Sequence, residues 1–230
     1  MKKLIQSFLP IFILSSQVFA IAGFGLQVGQ STFSVKESSP TISVPGVQLI
    51  NGAFDNAYNV GGYLYLDVIP VIDLEVDFNL QGNKYDIDFS NPVGIMDPIN
   101  FGWVSSDVYF TVRKKIIGLG IPFLAKAKLF AGGGYNTHLS TPVANEGMIT
   151  DLCDGDLESC NVTSLDKTLE EYMTDKDNYI TSSGFHLQGG LQFKILMIDS
   201  FLFYRHVIAD DVIPDAKGFG SLNLRLGMGF

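Results

Sequence analysis

Ile72-Asp73-Leu74-Glu75-Val76-Asp77-Phe78-Asn79-Leu80 alternates between apolar and polar side chains without a break. In an extended chain successive side chains point to opposite faces, so Ile72, Leu74, Val76, Phe78 and Leu80 share one side. Asp73, Glu75, Asp77 and Asn79 share the other. Wound as a helix, the same residues would scatter both kinds around its surface. The stretch therefore reads as a β-strand with one greasy and one wet face.

The same period runs through most of the chain. Over 22–33, Phe24, Leu26 and Val28 oppose Gly25, Gln27 and Gly29. Over 60–68, Val60, Leu64, Leu66 and Val68 oppose Gly61, Tyr63, Tyr65 and Asp67. Over 104–113, Val104, Val108, Phe110 and Val112 oppose Asp107, Tyr109, Thr111 and Arg113. Over 123–134, Phe123, Ala125, Ala127, Leu129 and Ala131 oppose Lys126, Lys128 and Gly132. Over 183–195, Phe185, Leu187, Leu191, Phe193 and Ile195 oppose His186, Gln188, Gln192 and Lys194. Over 221–230, Leu222, Leu224, Leu226, Met228 and Phe230 oppose Ser221, Asn223, Arg225, Gly227 and Gly229. A stretch over 200–208 is also a strand, but Phe201/Phe203 and Leu202/Tyr204 compete for its apolar face.

These stretches make eight strands, and short and long connections alternate between them. The short ones fall near 69–71, 114–122 and 196–199, and the long ones cover 34–59, 81–103, 135–182 and 209–218. An even number of antiparallel strands, with tight turns at one end and long loops at the other, is the plan of an up-and-down membrane barrel. A hairpin built on Thr41 to Leu49 would make a ten-stranded version. The short turns are apolar (Ile69-Pro70-Val71, Ile116-Ile117-Gly118-Leu119, Leu196-Met197-Ile198), where Asn-Gly turns would be usual.

Composition limits the class. Of the 230 residues 47% are hydrophobic and only 17% charged, with a net charge of −9, against about 25% charged in ordinary globular chains. Disorder needs low hydrophobicity, and a nucleic-acid binder needs a basic face. At the start, Lys2 and Lys3 precede the apolar Phe8 to Leu14, and Val18-Phe19-Ala20 ends on a small residue. That is the layout of a secretory signal peptide, residues 1–20, leaving a barrel over 21–230. Removing Lys2 and Lys3 leaves 13 bases against 24 acids. The best later helix candidate, Ile116 to Ala125, falls well short of the roughly 20 residues that span a bilayer.

Alternation alone does not say which face is inside. A soluble carrier barrel would turn its apolar stripe inward around an apolar ligand, and a membrane barrel turns it outward. The polar faces carry many glycines and complementary charges on neighbouring strands, which suits a narrow interior. The last strand, Ser221 to Phe230, carries a hydrophobic residue at every second position and ends in Phe230. This resembles the terminal strand by which bacterial outer-membrane barrels are recognised by their assembly machinery. With the leader, the chain resembles the small eight-stranded outer-membrane proteins of the OmpW, OmpX and OmpA-barrel type. That resemblance implies the outer membrane as location, membrane lipid as surroundings and Phe230 as the assembly signal. It also implies surface interaction, or binding and passage of a small hydrophobic or polar solute. No functional residue carries over from it.

Eight closed strands leave room for side chains or one small ligand. The inward set would include Asp67, Asp73, Glu75, Asp77, Arg113, Lys126, Lys128, His186, Lys194 and Arg225. Their charges nearly balance, and Asp107 makes the balance even, as buried charges require. Tyr63, Tyr65, Tyr109 and Gln188 would complete this polar network. The loop over 136–181 holds ten acids against two lysines, with a short helix expected from Leu165 to Met173 behind a Ser164 cap. Cys153 and Cys160, the only cysteines, read as a disulfide in an exported chain. Asp151, Asp154, Asp156 and Glu158 lack the order of a calcium loop, so no metal or cofactor is expected. Gly132-Gly133-Gly134 and Gly189-Gly190 lie inside strands rather than in a phosphate loop. His138, His186 and His206 are the only histidines. His186 has Ser182 and Ser183 close by but no acid near in sequence to orient it, so no enzyme is expected.

Overall fold

A computed structural model describes residues 21–69, 72–95, 97–121, 124–160, 172 and 175–230. The expected leader 1–20 lies outside these residues. So do Pro70, Val71, Pro122, Phe123 and, apart from Tyr172, the expected helix over 165–173.

Ten strands follow one another: β1 Ile21–Val35, β2 Gln48–Asn51, β3 Phe54–Ile69, β4 Ile72–Asn91, β5 Gly94–Ile95, β6 Ile99–Ile121, β7 Ala125–Ser140, β8 Ile180–Ile195, β9 Ile198–Ile208 and β10 Gly218–Gly229. Eight of them pair antiparallel into a closed ring, β1–β3–β4–β6–β7–β8–β9–β10 and back to β1. At the closure Gly25 faces Gly227 and Leu26 faces Leu226. Glycine is needed there: a Cβ on Gly23 would run into the Tyr65 ring, and one on Gly227 into the Phe24 carbonyl and the Tyr63 hydroxyl. The two remaining strands are short additions to the outer end of β4, β2 against Gln48↔Ser90 and β5 against Ser90↔Ile95. Residues 41–49 therefore add no membrane-spanning hairpin.

Polarity answers the question that alternation leaves open. Leu74 and Leu226 are 45% and 62% exposed on the outer wall, while Glu75 and Arg225 are 2% and 1% exposed inside it. A barrel with this arrangement is insoluble in water and suited to lipid. The soluble carrier with an apolar interior is not favoured.

Strand β4 also shows where the lipid stops. Its outward residues are Leu74, Val76, Phe78 and Leu80, and beyond Gly82 they become Lys84, Asp86 and Asp88. Its inward residues reverse at the same place, from Asp73, Glu75, Asp77, Asn79 and Gln81 to Tyr85, Ile87 and Phe89. One strand therefore leaves hydrocarbon for water, and both faces invert. β6 does likewise, with Ser105, Asp107 and Arg113 inside below and Trp103 and Phe101 inside above. The inward aromatics above the band join Val47, Leu49, Phe54, Met148, Ile213 and Phe219 in a hydrophobic core that sits over the loop end of the barrel.

The strands are longer than their alternation suggested. The loop placed at 81–103 is largely the outer halves of β4 and β6, which pair from Gln81↔Ser105 to Ile87↔Ile99. The largest loop runs from 141 to 179 rather than 136 to 181, because β7 and β8 stay paired out to Ser140↔Ile180. Of the turn placed at 114–122, residues 114–121 are also strand. β6 continues to Ile121 against Ala125, past a bulge between Lys115 and Ile117, although β4 has already ended beside it.

A charge placed in the lipid band should cost about 2–4 kcal/mol. Val76→Arg is expected to lower the unfolding free energy, measured by urea titration in vesicles, by that amount. Asp86→Arg, on the same strand above the band, should stay within about 0.5 kcal/mol.

Candidate functional site

The inward residues stack in layers set by strand register. At the turn end lie Asp67 on β3, Asp73 on β4, Lys126 and Lys128 on β7 and Lys194 on β8. Lys128 Nζ is 3.5 Å from Asp67, and Lys194 Nζ is 3.9 Å from Asp199 on β9. Tyr65 donates its hydroxyl to Asp199, which also accepts from Gln192 at 3.0 Å. Above this, Tyr63, Tyr65, Phe130, Phe201 and Phe203 form an aromatic layer across the lumen.

The next layer is a belt of buried ions. Glu75 lies 2.8 Å from Arg225, 3.2 Å from Arg113 and 3.9 Å from Arg205. Asp77 lies 2.5 Å from Arg225 and is bonded to Arg205 as well, and Arg113 reaches Asp73 at 2.9 Å. Gln188 donates to Glu75 at 2.9 Å, and Gln27 accepts from Arg225 at 2.6 Å. The guanidinium planes rest on aromatic faces: Arg205 over Tyr109 at 3.9 Å, Arg225 over Phe203 at 4.3 Å and Arg113 over Phe130 at 4.8 Å. A buried ion pair is tolerated when its charges are matched and its other donors and acceptors find partners. Rings stacked on guanidinium add attraction where water is excluded.

Nearer the loops the network becomes neutral. Gln27 donates to Asn79 at 2.9 Å and Ser31 to Gln81 at 2.6 Å. Asp107 accepts from Ser105 at 2.6 Å and Gln81 at 2.8 Å, and pairs with His138 Nδ1 at 2.7 Å. The other ring nitrogen of His138 faces Asn136 at 2.9 Å. His186 meets Thr111 at 2.9 Å. An acid thus orients a histidine here, but it is His138 rather than His186. Ser182 stands opposite His138 in register, yet its hydroxyl is unbonded and both imidazole nitrogens are occupied. The arrangement lacks the serine–histidine hydrogen bond of a hydrolase.

Outside the band, Cys153 and Cys160 are disulfide-bonded. A short helix, α1 (Glu146–Leu152), precedes the disulfide, with Asn145 accepting from the Met148 amide as its cap. Asn91 at the end of β4 donates to the carbonyls of Leu157 and Cys160, and Tyr85 accepts from the Ala144 amide. Burial pushes the Tyr85 phenol well above its ordinary range. The acids Asp151, Asp154, Asp156 and Glu158 lie around the disulfide. Hydrogen bonds from Ser159 hold Asp156 below the usual carboxylate range, which makes it a turn former. Among the described residues no group of three or more His, Cys, Asp and Glu could hold a metal ion.

The structure brings Glu75, Asp77, Arg113 and Arg225 into the belt, places Asp67, Asp73, Lys126, Lys128 and Lys194 at the turn end, and sets His186 above. The sequence reading missed Arg205, which bonds both carboxylates, because Phe201 and Phe203 made the faces of β9 ambiguous. Those two rings point inward as the aromatic layer. Asp199 was missed because 196–199 reads as a turn, whereas β9 already begins at Ile198. With Arg205 and Asp199 added, six acids (Asp67, Asp73, Glu75, Asp77, Asp107, Asp199) face six bases (Arg113, Lys126, Lys128, Lys194, Arg205, Arg225) around the lumen. Pairing Lys194 with a cross-strand acid would have exposed the signal.

The sequence matches no family model and no curated protein. Among solved structures the chain is similar to the outer membrane protein OprG from Pseudomonas aeruginosa, at 11% identity over 93% of this chain and 98% of that one, with a TM-score of 0.46. It is also similar to Neisserial surface protein A, at 12% identity over 91% and 95%, with a TM-score of 0.43. A third is Ail, the attachment invasion locus protein of Yersinia pestis, at 11% identity over 91% and 99%, with a TM-score of 0.39. These are general likenesses among outer-membrane β-barrel proteins. The eight-stranded transmembrane barrel itself stands on the closed strand ring and its inverted polarity.

Arg225→Met removes a cation paired with both buried carboxylates and should destabilise the barrel by about 3–5 kcal/mol, the usual cost of breaking a buried ion pair. Urea unfolding in lipid vesicles measures it. Adding Glu75→Gln should recover part of the loss.

Proposed function

We propose that this chain is an integral outer-membrane protein that presents a fixed platform at the cell surface and conducts nothing through its centre. The observation that carries the reading is the belt of Glu75, Asp77, Arg113, Arg205 and Arg225. Its charged side chains are almost wholly shielded from solvent and bonded to one another across the full width of the lumen. Opening a channel would mean separating at least three such pairs, which the low-dielectric interior opposes. The hydrophobic core over the loop end adds a second closure.

Orientation follows from connection length. The turn end faces the periplasm and the loops face outward. The leader over 1–20 exports the chain, and β10 with Phe230 directly after it engages the barrel-assembly machinery. In the folded barrel the Phe230 amide donates to the Ala22 carbonyl and its ring stacks on Phe24. The terminal residue thus also seals the β1–β10 joint. The outward platform, made of α1 and the disulfide-bonded segment up to Cys160, is stapled to the strands by Asn91, Asn51 and Tyr85. An acidic surface there suits contact with other molecules outside the cell. This reading assigns His138 and His186 to the hydrogen-bond network rather than to catalysis.

In a planar lipid bilayer the purified protein is expected to give no stepwise ion conductance, and the Glu75→Ala/Asp77→Ala double variant to leak. Open-channel steps from the wild type would overturn the reading. Proteinase K added to intact cells should cut within 141–179 and spare the turn near 196–197. Added phospholipid should release no fatty acid, and His186→Ala should change nothing in that assay.

A further inference from the structure

We propose that the turn-end mouth of the barrel is a binding site for a phosphate-bearing amphiphile. Below the aromatic layer the lumen opens into a vestibule of about 860 Å³, bounded by the β6–β7 hairpin, β8 and the chain terminus.

Four lysines line or border the vestibule: Lys115, Lys126, Lys128 and Lys194. Lys126 and Lys194 stand directly opposite each other across the β7–β8 ladder. Like charges in that position repel and destabilise the pair. Lys128 has Asp67, Lys194 has a distant Asp199, and Asp73 is taken by Arg113. Among the described residues, Lys115 and Lys126 have no carboxylate within ion-pair distance. The mouth therefore gathers more positive charge than its own acids neutralise, whereas the belt above is matched. An anion placed between Lys126 and Lys194 would turn a repulsive pair into two attractive ones.

Backbone shape supports the same use. On the inner side of the hairpin, past the bulge, stand Gly118 and Gly120. A Cβ on Gly118 would lie 3.3 Å from Lys115 Cδ and 3.4 Å from Lys128 Cγ, and one on Gly120 3.2 Å from Lys126 Cγ. The glycines give the lysine stems a flat wall to lie on, with their ammonium groups carried to the vestibule. Lysine ammonium binds phosphate as a point charge.

The rim fixes the rest of the ligand. Leu119, Leu124, Leu196, Met197 and Phe230 border the vestibule and are all strongly exposed. A free inorganic anion would use the lysines and leave this apolar rim without a role. A phosphate on an acyl chain fits both, its head among the lysines and its tail against the rim. The ligand is thus a lipid-like phosphoester drawn from the turn-side leaflet.

The test uses the full mature chain in a neutral detergent, with lysophosphatidylglycerol as the probe. Titration calorimetry should show one site, and Lys126→Gln/Lys194→Gln should weaken it by tenfold or more. Heat-modifiable gel mobility shows that this variant still folds. A monoacylglycerol with the same chain should bind at least tenfold more weakly than the probe, and inorganic phosphate should do the same. Without ligand and at low salt, Lys126→Gln alone should raise Tm by relieving the opposed charges. Equal affinity in the double variant, equal binding of the uncharged lipid, binding of bare phosphate as tight as the probe, or a lower Tm would each overturn the proposal. None of these readouts depends on whether the lumen conducts.

Discussion

In hydrocarbon no water is available to satisfy a backbone amide or carbonyl, so a spanning sheet must close on itself. The rest of this structure descends from that constraint. Closing eight strands gives a cylinder too narrow for bulk water, and half of every strand then points into it. Polar groups confined there must satisfy one another. The belt around Glu75 and Asp77 is the outcome: two carboxylates, three arginines and their glutamine and aromatic neighbours occupy the cross-section. Glycines on β1 and β10 make room for the tyrosines that underlie it. Closure and charge matching are therefore one requirement seen from the backbone and from the side chains.

The position of the membrane is written along the strands rather than at their ends. In β4 the outward Leu80 gives way to Lys84, and the inward Gln81 gives way to Tyr85. Below that line the outside is lipid and the inside must be polar. Above it the outside is water, and burial of Tyr85, Ile87, Phe89, Phe101 and Trp103 drives an ordinary hydrophobic core. The same chain thus folds under two opposite rules a few residues apart. The upper rule lets the loops build a compact platform, and the disulfide and α1 dock on that core instead of trailing free.

How much of this was legible depended on what each residue answers to. Alternation over 72–80, 183–195 and 221–230 reports a local geometry, and there each inward and outward assignment stands. The outer half of β4 alternates as well, with Lys84, Asp86 and Asp88 against Tyr85, Ile87 and Phe89. It was read as a loop because its polarity runs opposite to the strand that continues into it. On β9 the inner face carries Phe201, Phe203 and Arg205 together, so polarity could not separate the faces. That ambiguity hid Arg205, while Asp199 was hidden by a turn placed at 196–199 where β9 already runs. The apolar turn at 116–121 proved to be strand, held by pairing to β7 alone.

From sequence alone came the strand class, the number of spanning strands, the alternation of turns and loops and the bonded cysteine pair. Period-two patterning and short-range spacing determine these, because they depend on neighbours along the chain. Which face is inside, who answers each buried charge and where the lysines gather were decided only by the closed ring. Glu75 lies 150 positions from Arg225 and 38 from Arg113 in the chain. Nothing local couples them. Only the register of β10 and β6, imposed by closing the sheet, brings all three within hydrogen-bonding reach.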